Sequence, residues 1–348
     1  MGMSENNVGF GVVGCGVVAD YHIGAINDTE GAKLVAINDV VEERAREVGE
    51  QHGVAWYTDY KEMIAALDVD AICICTPSGI RIPIATDAAK AGVHLVIEKP
   101  IDVTLEKADR IIQAAAEADV QLMCIFQLRY GQAVNQVRQA VQGGKLGKVT
   151  LGDAYIKWFR PQEYYDSAAW RGTWDMEGGG ALMTQGIHTV DLLQWIMGPV
   201  KRVSARMGAL VHDVEVEDTV VATLEYESGA LGVIEATTTA HPGMPAKLEF
   251  SGSGGSIAME ADQITAWDVE GEESQAAGGA GTDVAKAASD SKTFGTEGHK
   301  AQIAEMVQVI TAGGRPAIDG PEGRKALELI LAIYQSARSG ETVELPLT

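Results

Sequence analysis

The chain has 348 residues, of which 27 are basic and 49 acidic, so its formal net charge is −22 at pH 7. This length predicts two domains with a hydrophobic core each, and 46% hydrophobic with 22% charged residues excludes a mainly disordered chain. The acidic excess argues against nucleic acid and anionic membranes as partners, because affinity for both comes from Lys and Arg.

Cysteine spacing and hydropathy bear on the cellular compartment and on the kinds of site that we expect. No two cysteines form a C-x-x-C pair, so we expect neither a disulfide framework nor a metal site. No apolar run approaches the roughly 18 residues of a transmembrane helix, and the first residues (MGMSENNV) lack the pattern of a signal peptide. We therefore expect a cytoplasmic protein without a membrane partner.

The first third of the chain alternates short apolar runs with longer amphipathic segments. We predict strands over 8–13, 33–38, 71–75, 93–97 and 121–126, and helices over 17–27, 42–52, 82–91 and 105–118. Strands that alternate with helices at this rhythm predict βαβ units and a doubly wound parallel sheet. The predicted fold class is thus α/β, with a doubly wound domain over residues 1–126.

The pattern changes in the remainder, which we assign to a C-terminal domain over 127–348. Helices are predicted over 133–142, 181–197, 298–311 and 321–337, and strands over 148–159, 200–207, 218–226, 230–239, 246–251 and 255–260. Short turns between the strands favour hairpins, so we expect an α/β domain with a large open, predominantly antiparallel sheet. The stretch 271–291 is rich in small and polar residues and is predicted to be a mobile surface loop.

A glycine-rich sequence follows the first predicted strand. Of two overlapping G-x-G-x-x-[GA] matches, residues 9–14 lie inside the strand, whereas residues 14–19 (GCGVVA) begin where the strand ends and a helix opens. A glycine turn before a helix N-terminus can cradle a pyrophosphate. The predicted phosphate-binding residues are Gly14, Gly16, Val17 and Val18.

Asp39 stands at the end of the second predicted strand, 23 residues after Gly16. A carboxylate there can accept hydrogen bonds from both ribose hydroxyls and would repel a 2′-phosphate, so it predicts NAD rather than NADP. The alternative is a glycine-rich turn in an α/β fold that binds no nucleotide. The strand, the helix and the acid in register favour the nucleotide.

Lys99 ends the apolar run VHLVIEKP at 93–100. Because ligands of open α/β sheets sit beyond the carboxyl ends of the strands, Lys99 is predicted at the ligand crevice. An ammonium that is partly desolvated there suits proton exchange with a substrate hydroxyl. A solvated lysine at a strand end is the commoner alternative.

Two further stretches carry candidate substrate residues. In 178–191 (GGGALMTQGIHTVD), Thr184 and His188 are spaced i, i+4, so His188 is a candidate acid/base or a substrate anchor. A core histidine satisfied by a neighbour is the alternative. Aromatic and guanidinium groups over 158–174 suit sugars and anions, although a packed loop is equally compatible with that composition.

Together these motifs resemble the glucose–fructose oxidoreductase and inositol dehydrogenase family (Gfo/Idh/MocA) over essentially the whole chain. The resemblance rests on residues 14–19, Asp39, Thr76-Pro77, Glu98-Lys99-Pro100, the stretch 178–191 and the tail 320–337. It implies an N-terminal Rossmann domain and a C-terminal α/β domain whose open sheet mediates dimers or tetramers. It also implies oxidation of a sugar or cyclitol hydroxyl with NAD(P).

The resemblance assigns roles to individual positions. Lys99 and His188 match the family's catalytic residues, and Thr184 belongs to the same catalytic group. The cofactor contacts implied in addition to the glycine turn and Asp39 are Thr76, Pro77, Glu98, Lys99 and Gln127. The substrate contacts implied are Lys99, Arg129, Tyr164, Trp170, Arg171, Thr184 and His188.

A finer similarity is to the branch that oxidises UDP-N-acetylglucosaminuronate at C3, through residues 126–130 and 163–191. Leu128 and Thr184 stand where that branch has Asn, and Arg81 stands where the family has His. We expect NAD-dependent hydride transfer from a secondary hydroxyl of a sugar, sugar acid or nucleotide sugar.

Two alternatives to this expected reaction stay open. The first is a free-sugar or cyclitol dehydrogenase of the same family. The second is a non-catalytic NAD-binding regulator on the same fold. The presence of both Lys99 and His188 argues against the regulator, because a sensor needs no acid/base pair.

Overall fold

The computed structural model describes residues 7–66, 68–274 and 296–347. The chain forms two compact units: the first comprises Met1–Gln127 with Thr296–Arg324, and the second comprises Leu128–Gly295 with Lys325–Thr348. The sequence predicted a single boundary between residues 126 and 127, which would place the late segment Thr296–Arg324 in the second domain. The structure groups it with the first unit, because Ile303 and Met306 are fully buried in the same core as the first strand.

The first unit contains a six-stranded parallel sheet in the order β3-β2-β1-β4-β5-β6. Its strands are β1 (Val8–Val13), β2 (Ala32–Asn38), β3 (Ala55–Tyr57), β4 (Ala71–Ile74), β5 (His94–Ile97) and β6 (Leu122–Cys124). Its connecting helices are α1 (Val17–Asn27), α2 (Glu42–His52), α3 (Tyr60–Ile64), α4 (Arg81–Lys90) and α5 (Leu105–Glu117). The predicted Rossmann architecture is confirmed, and β3 and α3 are additional short elements.

Every residue of β1 is buried, as expected for a parallel strand covered on both faces. The glycines inside this strand have a packing role. A Cβ on Gly9 would lie 1.8 Å from the carbonyl oxygen of Asp68, and one on Gly11 would lie 2.9 Å from Met63 Cε. These glycines therefore permit close packing, and the first of the two G-x-G matches is not a nucleotide loop.

The second unit contains an eight-stranded sheet in the order β13-β12-β11-β7-β10-β9-β8-β14. The helices that follow α5 are α6 (Gln132–Gln142), α7 (Gln162–Asp166), α8 (Trp174–Glu177), α9 (Ile187–Met197), α10 (Glu297–Ala312) and α11 (Gly320–Ser339). The strands are β7 (Val149–Lys157), β8 (Val200–Gly208), β9 (Thr219–Tyr226), β10 (Leu231–Thr237), β11 (Lys247–Gly252), β12 (Gly255–Glu260), β13 (Gln263–Val269) and β14 (Val343–Glu344). The β7–β10 pair is parallel and the other pairs are antiparallel, so the predicted sheet type is confirmed.

One predicted helix is divided in two. The run 181–197 was expected to be a single helix, but it begins as a π-helix (Ala181–Gly186) and continues as α9. Thr184 and His188 therefore do not share one regular α-helical face, which corrects the i, i+4 geometry expected from their spacing. Single turns of π-helix occur frequently at functional sites.

The loop predicted over 271–291 lies, from residue 275 onward, outside the described residues. Among the helices that the structure describes, none has the length and apolar character needed to cross a lipid bilayer.

Candidate active site

The cofactor residues predicted from the sequence lie at one edge of the parallel sheet. Gly14 follows β1, Asp39 follows β2 and Thr76 follows β4, while Glu98 and Lys99 follow β5. The strand order reverses between β1 and β4, which is the point where open α/β sheets bind their ligands. The fold thus brings the predicted cofactor residues of the first unit to the expected edge.

The glycine turn has the conformation that its sequence requires. Gly14 has a φ of +91°, and a Cβ there would lie 3.2 Å from the carbonyl carbon of Cys75. α1 begins directly afterwards, with Gly16 as an N-cap that offers no side-chain acceptor, and no atom lies within 4 Å of a Cβ placed on Gly16. The exposed helix N-terminus can therefore receive an anionic group.

Asp39 is buried and connects the glycine turn to the end of β2. Its Oδ2 accepts the Cys15 backbone N–H at 2.9 Å, and its Oδ1 accepts the Val41 N–H at 2.9 Å. Arg44, which sequence reasoning missed, forms an ion pair with Oδ2 at 3.2 Å from a half-exposed position on α2. Because arginine near this position can accommodate a 2′-phosphate, Arg44 bears on the choice between NAD and NADP.

Two polar atoms at predicted cofactor positions support the fit to NAD. Thr76 Oγ1 and Gln127 Oε1 are buried, and neither has a hydrogen-bond partner in the part of the chain that the structure describes. Buried polar groups are rarely left without a hydrogen-bond partner in native proteins. Together with the open helix N-terminus and the Asp39 carboxylate, they form a set of groups that suits a dinucleotide.

Lys99 follows β5 and is half-buried, whereas the preceding residue, Glu98, is buried. Glu98 Oε1 lies 2.9 Å from His22 Nε2, so this carboxylate contacts the interior of the first unit, and its predicted cofactor contact stays a prediction. Arg81 is also buried, and its guanidinium donates to the backbone carbonyls of Thr76, Glu98 and Pro100. This departure from the family's histidine therefore holds backbone at the strand ends.

In the second unit, the predicted substrate residue Arg129 forms a buried bidentate ion pair with Asp191. Arg129 Nε donates to Asp191 Oδ2 at 2.7 Å, and Nη2 donates to Oδ1 at 2.6 Å. The guanidinium also lies 5.1 Å from the centroid of the Trp195 ring. This pair connects the segment after residue 127 to α9, the helix that carries His188.

The triple glycine before Thr184 packs closely against the protein itself. A Cβ on Gly179 would lie 2.2 Å from Tyr334 Oη, and one on Gly180 would lie 1.9 Å from the carbonyl oxygen of Glu217. Glycine is needed at both positions for this close packing within the protein. The Thr184 hydroxyl donates to the Gly179 carbonyl at 2.9 Å.

Glu217, which the sequence did not single out, holds the start of the π-helix. Its carboxylate accepts the N–H groups of Gly180 at 2.8 Å and Leu182 at 2.9 Å, and the Tyr334 hydroxyl at 2.8 Å. Burial raises the pKa of the Glu217 carboxyl, although these hydrogen bonds oppose that shift. The backbone around Thr184 is thus fixed by a buried acid more than 30 residues away in sequence.

Three predicted substrate residues lie together in the second unit. The Arg171 guanidinium lies 4.2 Å from the Tyr164 ring centroid and 4.6 Å from that of Trp170. Arg171 also lines a cavity of about 270 Å³, together with Tyr165 and Thr173. A guanidinium stacked on aromatic rings beside a cavity can bind an anionic or sugar group.

Comparison with known proteins identifies the family to which the chain belongs. The model described as "Oxidoreductase family, NAD-binding Rossmann fold" matches residues 8–126, and the "GFO/IDH/MocA C-terminal domain" matches residues 134–258. The chain belongs to the Gfo/Idh/MocA family. It is therefore an NAD-binding oxidoreductase of a family whose named relatives are sugar and cyclitol dehydrogenases and reductases acting on CH–OH groups.

Individual Gfo/Idh/MocA relatives differ in the substrates that their names state. A crystal structure of the WlbA dehydrogenase from Bordetella pertussis, in complex with NADH and UDP-GlcNAcA, is 33% identical and covers 98% of this chain and 100% of its own, with a TM-score of 0.87. The myo-inositol 2-dehydrogenase of Thermotoga maritima is 29% identical over 96% of this chain and 98% of its own length. A D-apiose dehydrogenase of Paraburkholderia graminis is 27% identical over 96% and 88%.

Proposed function

We propose that this enzyme oxidises a secondary hydroxyl of a sugar, a sugar acid or a nucleotide sugar, with Lys99 and His188 sharing the proton transfer. The observation that carries this proposal is the position of Lys99. It follows β5 at the sheet edge where the glycine turn and Asp39 also lie. A half-buried amine at this edge is suited to exchange a proton with a hydroxyl.

The chain's own groups would orient the substrate and move its proton. Bound NAD supplies the hydride acceptor. Lys99 and His188 take the acid/base roles implied by the family motifs that they match, because lysine and histidine can both exchange protons with a hydroxyl. The Thr184 hydroxyl can hydrogen-bond a substrate hydroxyl, but it cannot act as a base near neutral pH.

The nucleotide-sugar class is our first choice of substrate. It is supported by the WlbA relative, whose complex contains UDP-GlcNAcA, at 33% identity over 98% of this chain. It is also supported by the Arg171 guanidinium, which lies against the Tyr164 and Trp170 rings, since a guanidinium can pair with a carboxylate or a phosphate. A free cyclitol or sugar is the second candidate, which the Thermotoga maritima relative favours.

A spectrophotometric panel at 340 nm distinguishes the two classes. The wild-type protein with NAD is assayed against UDP-N-acetylglucosaminuronate and related UDP-sugars, and against myo-inositol, free uronates and neutral aldoses. We expect the highest kcat/KM with a UDP-linked sugar, and a large loss for Arg171→Leu with that substrate. Higher kcat/KM with a neutral cyclitol than with every UDP-sugar would overturn the nucleotide-sugar assignment.

We also propose that the protein is a cytoplasmic homodimer or homotetramer assembled through the second unit's sheet. Leu151, Val221 and Leu231 are 44%, 46% and 54% exposed. Leu231 of β10 is the register partner of Leu151 in β7. Val221 of β9 is the register partner of Glu235, which lies four residues after Leu231 in β10 and therefore on the same face of the sheet. An exposed apolar face suits a second copy, and four cysteines without disulfides suit the cytoplasm. Light scattering that gives a monomer mass at micromolar concentration would contradict this assembly.

A further inference from the structure

The backbone around Lys99 is held from two sides within the first unit. The Lys99 N–H donates to Glu98 Oε2 at 3.1 Å, and the Arg81 guanidinium donates to the carbonyl oxygens of Glu98 and Pro100. The Glu98 N–H in turn donates to the Ile74 carbonyl of β4 at 3.3 Å. The position of Lys99 therefore depends on a buried carboxylate and a buried guanidinium.

The Glu98 carboxylate is held by two histidines from distant parts of the sequence. His22 Nε2, from α1, lies 2.9 Å from Glu98 Oε1, and His299 Nε2, from α10, lies 3.6 Å from the same oxygen. All three side chains are buried. Although burial opposes its charge, the two imidazoles hold the pKa of the Glu98 carboxyl well below its ordinary value.

These three donors could also hold a metal ion, since their ligand atoms lie within 4.8 Å of one another. The second ring nitrogen of each histidine, Nδ1, argues for hydrogen bonding instead. Within the described residues, Nδ1 of His22 and Nδ1 of His299 are buried without a partner, whereas metal-bound histidines usually donate their second N–H. A bare Nδ1 leaves the proton on Nε2, so the His22 ring can donate to Glu98 Oε1, whereas the His299 ring places its polar Nε2 3.6 Å from the same oxygen and interacts with it electrostatically.

We propose that His22, Glu98 and His299 are positioning residues that fix the backbone of Lys99 for proton transfer. We call these three residues the Glu98 brace. The proposal rests on the proposed catalytic role of Lys99 and extends it to α1 and α10, neither of which carries a predicted catalytic group. Because His299 lies far along the chain from Lys99, the late segment of the sequence would complete the active site of the first unit.

Hydrogen exchange tests the Glu98 brace without a substrate. His299→Phe keeps a ring that can stack on Tyr21, whose centroid lies 5.5 Å from that of the imidazole, but removes the polar Nε2 that lies 3.6 Å from Glu98 Oε1. Mass spectrometry on peptides spanning 95–99 should show the Lys99 amide exchanging about tenfold faster. The β1 amides should be unchanged, since a general loss of stability would accelerate them as well.

Two further variants keep the test decisive if His299→Phe folds poorly. His299→Gln retains an N–H donor and should restore slow exchange at Lys99, while Glu98→Gln removes the charge with almost no change of shape. His94→Phe is the matched control, because His94 begins the same strand and its Nδ1 accepts the Gln121 N–H at 3.0 Å, far from the brace. We expect His94→Phe to leave the Lys99 amide unchanged.

Kinetics separate this proposal from the proposed function. With the best substrate of the panel, His299→Phe should lower kcat about tenfold with KM and the NAD dissociation constant nearly unchanged, and His299→Gln should recover most of the loss. If Lys99→Met keeps its turnover, the catalytic assignment itself fails. If Lys99→Met is inactive while the brace variants change neither exchange nor kcat, the brace proposal alone is overturned.

Discussion

The two units hold their candidate functional residues by different means. In the first unit, the residues follow neighbouring parallel strands. Backbone hydrogen bonds between the strand ends support them, and buried side chains add support around Lys99. In the second unit, Thr184 lies in a π-helix and Arg171 in a loop, while His188 begins the helix that follows. Their surroundings are held by the Arg129–Asp191 ion pair and the Glu217 carboxylate, both buried.

Because of this difference, side-chain substitutions should affect the two kinds of position differently. A strand-end position such as that of Gly14 or Asp39 is set by the topology of the sheet, so a change of side chain there alters chemistry more than geometry. A position that depends on buried polar contacts is lost when one partner is removed, because the remaining charge or N–H is left unsatisfied. The second unit and, within the first unit, the Glu98 brace should therefore be sensitive to single polar substitutions away from the site.

Lys99→Met gives the largest expected effect and tests the first unit. Methionine keeps the length and apolar stem but removes the ammonium, so we expect turnover to fall about 10²–10⁴-fold. The NAD dissociation constant should stay within about threefold, since the glycine turn and Asp39 are untouched. Steady-state kinetics with a parallel NAD titration measure both quantities.

His188→Ala is the matching change in the second unit and should produce a similar fall in kcat. If the two residues share the proton transfer, the double variant should be less than additive. Turnover of Lys99→Met within a few-fold of the wild type would remove Lys99 from the mechanism.

Asp191→Asn tests the dependence of the second unit on buried polar contacts. It removes the charge that pairs with buried Arg129, and we expect the free energy of unfolding to fall by about 3–5 kcal/mol. Urea denaturation measures this change. The matched control is Glu235→Gln, which removes an exposed ion pair to Lys157 (3.0 Å) in the same unit and should cost about 0–1 kcal/mol. Equal losses in the two variants would contradict the comparison.

The smallest expected effect concerns cofactor choice. We expect NAD to bind more tightly than NADP, and Asp39→Ala to weaken NAD binding about tenfold through the loss of hydrogen bonds to the ribose. In that variant, Arg44 would lose its carboxylate partner, so the affinity for NADP should rise relative to the affinity for NAD. Calorimetry with both cofactors checks this, and tighter NADP binding by the wild type would show that Arg44 outweighs Asp39.

The sequence predicted the first unit well because its signals are local. The glycine turn, Asp39 and Lys99 each follow an apolar run, and periodicity alone indicates where such runs end. The π-helix at Ala181–Gly186 was predicted as regular helix, because its extra residue per turn depends on packing, which includes the contacts of Gly180 and Leu182 with Glu217.

Long-range polar partners were also beyond sequence reasoning. His22 lies in an apolar stretch of α1, and nothing near it in the sequence indicates that Glu98 and His299 are its neighbours. Arg81 was noticed only as a departure from the family pattern, whereas the structure gives it three backbone carbonyls to hold. Partners separated by 76 residues or more, such as His22 and Glu98, leave no local signal.

The return of Thr296–Arg324 to the first unit has a consequence for biosynthesis. Ile303 and Met306 are fully buried against β1, and the Gln302 side chain donates to the Cys124 carbonyl at 3.0 Å. A ribosome delivers these residues only near the end of translation, after the whole sheet of the second unit except β14. The synthesis of the nucleotide-binding unit thus begins first but ends only after most of the second unit has been made, and a nascent chain stalled before residue 296 would expose the apolar surface that α10 covers.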